Sequence, residues 1–256
     1  MNYIVSAATD IGNTKDTNQD AYSVRVYMTP LGKMTLAVLC DGMGGLAKGE
    51  VASATVINAF LRWGETRLGL LCEKGSITDA DIRQEWTRLV TDYNAKIKSY
   101  GNSNGINLGT TLTAILLTDN RYFVINVGDS RTYELTGFFK LLTKDQSLVE
   151  REIELGRLTE EQARTDPRRS VLLQCIGASD SVSPDFYFGQ TQKDAVYMLC
   201  SDGFRHEITP EEIYSALGPG VLTDENIMQA NMVGLINLNK SRFERDNITV
   251  VCVRTY

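Results

Sequence analysis

The chain has 256 residues, 43 % of them apolar, with a formal net charge of −6. This length suits one large mixed domain, and no long basic run favours nucleic acid or an anionic membrane as the main partner. The single histidine, His206, excludes histidine-rich zinc sites.

Residues 3–9 alternate like a strand. They carry no charged leader and no run long enough to span a bilayer, so neither a signal peptide nor membrane insertion is expected. A polar loop follows, then strands near 20–28 and 33–40, joined at residues 30–32. A glycine-rich loop at 42–49 opens a helix that runs to about residue 71. Thr78 can cap a second helix, with Asp79, Asp81 and Glu85 suited to its first turns. That helix is expected to end near residue 100, with Ile82, Trp86, Leu89, Val90, Tyr93 and Ile97 on one side and a flexible loop at 101–107. Strands recur at 112–117 and 122–127, and residues 131–142 read as a hairpin through Gly137. Between about 145 and 184 the strand pattern stops. Short helices are expected there at 148–155 and after Thr159, where Thr159-Glu-Glu-Gln162 fits a capping box. Strands return at 185–189 and 195–200, helices at 210–217 and 225–239, and a last strand follows Asp246. Cys40, Cys72, Cys175, Cys200 and Cys252 form no C-x-x-C pair, and buried reduced thiols in a cytoplasmic protein are expected. The element order fits two sheets with helices outside, an α+β class, better than a parallel doubly wound sheet.

Aspartate is placed in a pattern. Three apolar runs end in one, at Asp41, Asp129 and Asp202, and two strands begin just after one, at Asp20 and Asp246. In an antiparallel sheet the start of one strand lies beside the end of its neighbour, so all five carboxylates can share one edge. Two carboxylates about 4 Å apart repel by about 4 kcal/mol at an effective dielectric of about 20. A divalent cation would offset that cost, and an all-oxygen set favours Mg²⁺ or Mn²⁺. Gly42, Gly44 and Gly45 leave the backbone after Asp41 bare enough to approach a ligand. Taken singly, Asp-Gly is a common turn, and Asp20 or Asp246 would serve as turn or cap residues. Residues 42–47 also match G-x-G-x-x-A, a dinucleotide-binding fingerprint. Against that reading, Asp41 would put negative charge beside a pyrophosphate, and the next element is a helix rather than a parallel strand.

Six segments occur in order: Gly12 with Asn18-Gln19-Asp20, Asp41-Gly42-Met43-Gly44-Gly45, Gly109-Thr110-Thr111, Val127-Gly128-Asp129-Ser130-Arg131, Ser201-Asp202-Gly203, and Asp246-Asn247-Ile-Thr-Val. Together they resemble the metal-dependent protein phosphatases, the type 2C serine/threonine family, in its compact bacterial form. The resemblance implies a four-layer αββα sandwich of two mostly antiparallel sheets flanked by helices. It implies a single catalytic domain over 1–256, with a small helical flap at about 145–184. It also implies site roles. Asp41 bridges two Mn²⁺ or Mg²⁺ ions and the Gly42 carbonyl helps hold one. Asp202 and Asp246 ligate the first ion, Asp20 the second largely through water, and Asp129 joins Asp202 at a third, weaker site. Asp41, Asp202 and Asp246 would thus be catalytic.

Lys15 stands where the family usually has arginine and would contact the substrate phosphate, without the bidentate fork. Asn247 would brace Asp246, and Arg131 would brace Asp129 or its loop. Gly109-Thr110-Thr111 would serve packing, and His206 a structural or surface role. Met43 replaces the histidine of eukaryotic members. Asp145-Gln146-Ser147 and Phe243-Glu244 replace the family's Asp-His-Ser/Thr and Gly-Gly, which bears on local loop shape. The implied reaction is hydrolysis of phosphoserine and phosphothreonine by direct attack of a metal-bridging water. The implied partners are phosphorylated proteins made by a bacterial serine/threonine kinase, with the chain acting as a monomer. A catalytically silent member that binds phosphoproteins is the alternative within the family.

Overall fold

The computed structural model describes residues 1–43 and 48–256. In chain order its elements are β1 (Tyr3–Asp10), β2 (Ala21–Thr29), β3 (Gly32–Cys40), α1 (Gly49–Thr66), α2 (Leu68–Cys72) and α3 (Asp79–Asn104). Next come β4 (Leu112–Leu117), β5 (Tyr122–Val127), β6 (Arg131–Leu135), β7 (Phe139–Leu141), α4 (Leu148–Glu154) and α5 (Glu160–Thr165). Last are β8 (Asp185–Gly189), β9 (Val196–Cys200), α6 (Asp202–Arg205), α7 (Pro210–Leu217), α8 (Glu225–Ser241) and β10 (Ile248–Thr255). The strands form two five-stranded sheets, ordered β1-β10-β9-β6-β7 and β2-β3-β4-β5-β8, with every pairing antiparallel.

Side chains alternate across a strand, so a strand that is apolar at both parities must be covered on both faces. The central strands are of this kind. In β3, Leu36, Val38 and Cys40 face α1 and α3, while Ala37 and Leu39 face the other sheet. In β9, Tyr197 and Leu199 turn into the sandwich, while Met198 and Cys200 turn out towards α7 and α8. Three apolar layers between four structural layers result, which is the expected αββα sandwich. On the outer side of the second sheet, Trp86 is fully buried, edge-on to Phe60 and Trp63 at 5.6 and 5.5 Å. Burying an aromatic side chain of this size contributes about 1.5–3 kcal/mol. All five cysteines are buried and unpaired, as expected. No helix of the described residues is long and apolar enough to cross a membrane.

Three local expectations change. The first helix breaks at Arg67, whose guanidinium reaches across to Glu85 of α3 at 2.7 and 3.1 Å. The second helix does not stop at residue 100 but runs to Asn104. Gly101 ends nothing: a Cβ there would meet the Ile106 carbonyl oxygen at 2.7 Å and Leu108 at 2.8 Å, so glycine permits a close approach. The stop is Gly105, at φ +64°, after which the Ile106 N–H returns to the Gly101 carbonyl at 3.0 Å. The short helix α6 was not foreseen; four residues carry too little periodicity to read. The helical insertion is present as α4 and α5, and the Thr159–Gln162 capping box forms as read. Of the glycine loop expected at 42–49, residues 44–47 lie outside the described residues.

Candidate metal centre

Strand register brings the aspartates together. Ala21 pairs with Cys40, so Asp20 before β2 and Asp41 after β3 are neighbours. Cys200 pairs with Val250 on one side and Arg131 on the other, so Asp202 after β9 lies between the segments that carry Asp246 and Asp129. All five carboxylates therefore stand at the same edge of the sandwich, three on one sheet and two on the other. Asp41 is held by its backbone. Its N–H donates to Thr111 Oγ1 at 3.0 Å, and its carbonyl accepts the Thr111 N–H and the Thr110 hydroxyl, each at 2.9 Å. Thr111 Oγ1 also meets Ser130 Oγ at 2.7 Å, across to the other sheet. Gly109-Thr110-Thr111, expected only to pack, is thus a clamp on Asp41. Gly42 donates to the Gln19 carbonyl at 3.1 Å, which ties the Asp41 turn to the segment carrying Asp20.

Asn247 braces Asp246 through its backbone N–H, which donates to Asp246 Oδ1 at 2.8 Å. Its side chain does something else. Oδ1 accepts the Gln19 N–H at 2.8 Å, and Nδ2 donates to the Ile11 and Thr17 carbonyls at 2.9 and 3.2 Å, so it fastens the 11–19 loop beside the carboxylates. Small residues let these segments meet. A Cβ on Gly12 would lie 2.3 Å from the Asp246 carbonyl oxygen, and one on Gly203 2.2 Å from that of Asn247.

The electrostatics of the cluster are those of crowded anions. Burial, then Asp20, Asp202, Asp129 and Asp246, push the Asp41 carboxyl well up from its ordinary range. Asp20 is pushed up to about 7, by burial first and by Asp202 and Asp246. The Ser201 and Thr249 hydroxyl oxygens beside it are engaged elsewhere, Ser201 Oγ with the Thr249 N–H at 3.0 Å and Thr249 Oγ1 with Thr9 at 2.7 Å. Asp129 is also pushed up to about 7, by burial and then Asp202, with Arg205 pulling the other way. Both Asp20 oxygens and Asp202 Oδ1 are buried with no hydrogen-bond partner among the described residues. A buried carboxylate oxygen left bare costs several kcal/mol unless a cation or donor meets it. Oxygen donors only, converging and unsatisfied, fit a hard divalent ion. As the side chains stand, no three His, Cys, Asp or Glu residues among those described close around one point. A protein cation already stands at the cluster: Lys15, with Nζ 2.8 Å from Asp246 Oδ1. Burial works to lower its pKa, but Asp246, and then Asp41 and Asp202, hold it above the usual lysine value.

Beside the cluster lies a buried network that the sequence did not disclose. Arg131 does not brace Asp129. Its guanidinium grips Asp145 at 2.7 and 2.8 Å, and so braces the loop rather than the Asp129 side chain. Arg205 Nη2 instead donates to the Asp129 carbonyl at 3.1 Å and to Asp145 at 3.2 Å. Gln146, in the family's histidine position, accepts the Gly128 N–H at 2.9 Å and donates to Asp185 at 2.8 Å. Both devices hold the loop carrying Asp129 against the root of the helical insertion. His206 is largely buried, between Asp202 and Glu244. Burial disfavours its charge, but those two carboxylates hold its pKa above the ordinary value.

A family model described as protein phosphatase 2C matches residues 12–230. The chain belongs to the protein phosphatase 2C family. The phosphatase is 32 % identical to a protein phosphatase 2C-type protein of Streptococcus pyogenes, over 97 % of its own length and 96 % of the relative's. Its fold matches the serine/threonine phosphatase of S. agalactiae with a TM-score of 0.84 and 30 % identity, covering both chains fully. It also matches the catalytic domain of the serine/threonine protein phosphatase PstP, solved in complex with two manganese ions, with a TM-score of 0.76, 28 % identity and 99 % of each chain covered. The phosphatase is accordingly a metal-dependent serine/threonine phosphatase with a two-metal Mn/Mg site, not the silent binding protein held as an alternative. The dinucleotide reading of residues 42–47 fails as well. Helix α1 leads to α2 and α3, and the sheet beneath is antiparallel, so no parallel βαβ unit forms there.

Proposed function

We propose that the phosphatase hydrolyses phosphoserine and phosphothreonine in proteins at the edge where Asp20, Asp41, Asp202 and Asp246 meet. The observation that carries this is the set of buried, unpartnered oxygens on Asp20 and Asp202 beside Asp41, whose backbone is clamped from both sides. Asp41 would be shared between two ions, with the Gly42 carbonyl at one of them. Asp202 and Asp246 would complete one site and Asp20 the other. Asp129, next to Asp202, would add a third, weaker position. Divalent ions bound there supply charge neutralisation for the phosphoryl group and a more acidic water.

The remaining work falls to the chain. Lys15, with about a third of its side chain exposed, is free to exchange Asp246 for the phosphate of a substrate. As lysine it meets phosphate as a point charge rather than a fork. Met43 offers no proton, so no side chain after Asp41-Gly42 acts as general acid. The sandwich and its flap work as one domain, and the chain acts as a monomer in the cytoplasm on phosphoproteins made by a bacterial serine/threonine kinase. The test is phosphate release from a phosphothreonine peptide with Mn²⁺, with Mg²⁺ and with EDTA. Turnover in wild type, its loss in EDTA, and a fall of at least about 100-fold in Asp41→Asn and Asp202→Asn are expected. Turnover that persists in EDTA or in both variants refutes the assignment.

A further inference from the structure

The one histidine is built into the wall of the carboxylate cluster. Asp202 opens α6, and His206 caps its end one turn later, so the imidazole returns over the Asp202 side chain. His206 Nε2 stands 3.6 Å from Asp202 Oδ2, and Nδ1 stands 3.2 Å from Glu244 Oε2. Glu244 is only 6 % exposed. Its other oxygen, Oε1, accepts the Arg245 N–H at 2.6 Å and the Asp246 N–H at 2.8 Å. One buried carboxylate thus reaches two members of the cluster. It fixes the backbone of Asp246 directly, and through His206 it faces Asp202.

The two oxygens of Asp202 face different surroundings: Oδ2 lies 3.6 Å from the imidazole, beyond hydrogen-bond reach, while Oδ1 is buried with no partner among the described residues. The backbone makes room for this device. Phe243, just before Glu244, sits at φ +68° with its ring 82 % exposed. The chain keeps a glycine-like bend there while a carboxylate takes the next position.

We propose that Glu244 and His206 are positioning residues for the metal centre. Glu244 orients His206, His206 stands against one oxygen of Asp202 and leaves the other free for a cation, and Glu244 holds Asp246 in register with it. The inference rests on Asp202 and Asp246 being metal ligands. Partners of this kind commonly tune the affinity of the ligands they orient.

Titration calorimetry with MnCl₂ tests it, on wild type, Glu244→Gln, His206→Ala, the double variant and Asp41→Asn. Glu244→Gln keeps an acceptor for the two N–H groups and removes the charge that holds His206; His206→Asn serves if His206→Ala does not fold. Each single change is expected to weaken Mn²⁺ binding about 10- to 100-fold. The double variant is expected to bind no more weakly than the weaker single, because the two residues act as one unit. Excess Mn²⁺ is expected to restore kcat, with only the activating metal concentration shifted; a merely structural role would leave kcat low. Wild-type affinity in both single variants, additive losses in the double, or kcat that metal does not restore overturns the proposal. A wild type that binds no Mn²⁺, like Asp41→Asn, overturns the metal centre and this inference with it.

Discussion

Lys15 sits on Asp246 at 2.8 Å, and both side chains are about one-third exposed. In that position the ammonium is a resident counter-ion in an anionic cluster, and an incoming divalent ion must displace it. A partly exposed pair of this kind contributes about 1 kcal/mol at most. Lys15→Met is therefore expected to tighten Mn²⁺ binding up to about fivefold while raising KM for a phosphopeptide, measured by calorimetry and steady-state kinetics. Weaker Mn²⁺ binding in that variant would show that Lys15 supports the site rather than competes for it. At this scale the five aspartates were legible, because each marks the end or start of an apolar strand and strand pairing does the rest. Arg205, Gln146 and Glu244 were not. Their partners, Asp129, Gly128 and His206, lie 76, 18 and 38 residues away and are met only once the sandwich closes. A capped helix or an apolar alternation is written locally; a buried side-chain network is not.

Elements were read better by their cores than by their ends. The apolar stripe of α3 was correct where it mattered: Ile82, Trp86, Val90 and Ile97 are buried. Its end was misplaced because glycine has two uses. At Gly105 it supplies a left-handed turn, while at Gly101 it supplies an absent side chain, and the sequence does not distinguish them. Gly101→Ala separates the two. A methyl group there must push the Ile106 carbonyl and the Leu108 side chain aside, so the variant is expected to lose about 1–3 kcal/mol in denaturant unfolding. A change within experimental error would mean that the helix end shifts freely and that the close approach is not a constraint. The start of α3 behaves differently: Thr78 caps it as the sequence indicated, and Asp81, expected only to suit the first turn, completes a capping box with it.

On the scale of the whole molecule, two antiparallel sheets place the strand ends that carry Asp20, Asp41, Asp129, Asp202 and Asp246 at one rim. Hydroxyl pairs run through the sandwich towards that rim, Thr113 with Thr132 and Thr111 with Ser130, each at 2.7 Å, and they satisfy the polar groups that link the two sheets. The fold thus fixes the backbone of the cluster while leaving carboxylate oxygens bare, an arrangement that is costly without a cation and stabilising with one. The central claim is that two ions sit there with Asp41 between them. Crystals soaked in MnCl₂ and measured for anomalous scattering test it most directly. Two manganese peaks are expected, both touching Asp41, one shared with Asp202 and Asp246 and the other on the side of Asp20. No peak at this rim, or peaks that leave Asp41 uncoordinated, would contradict the account.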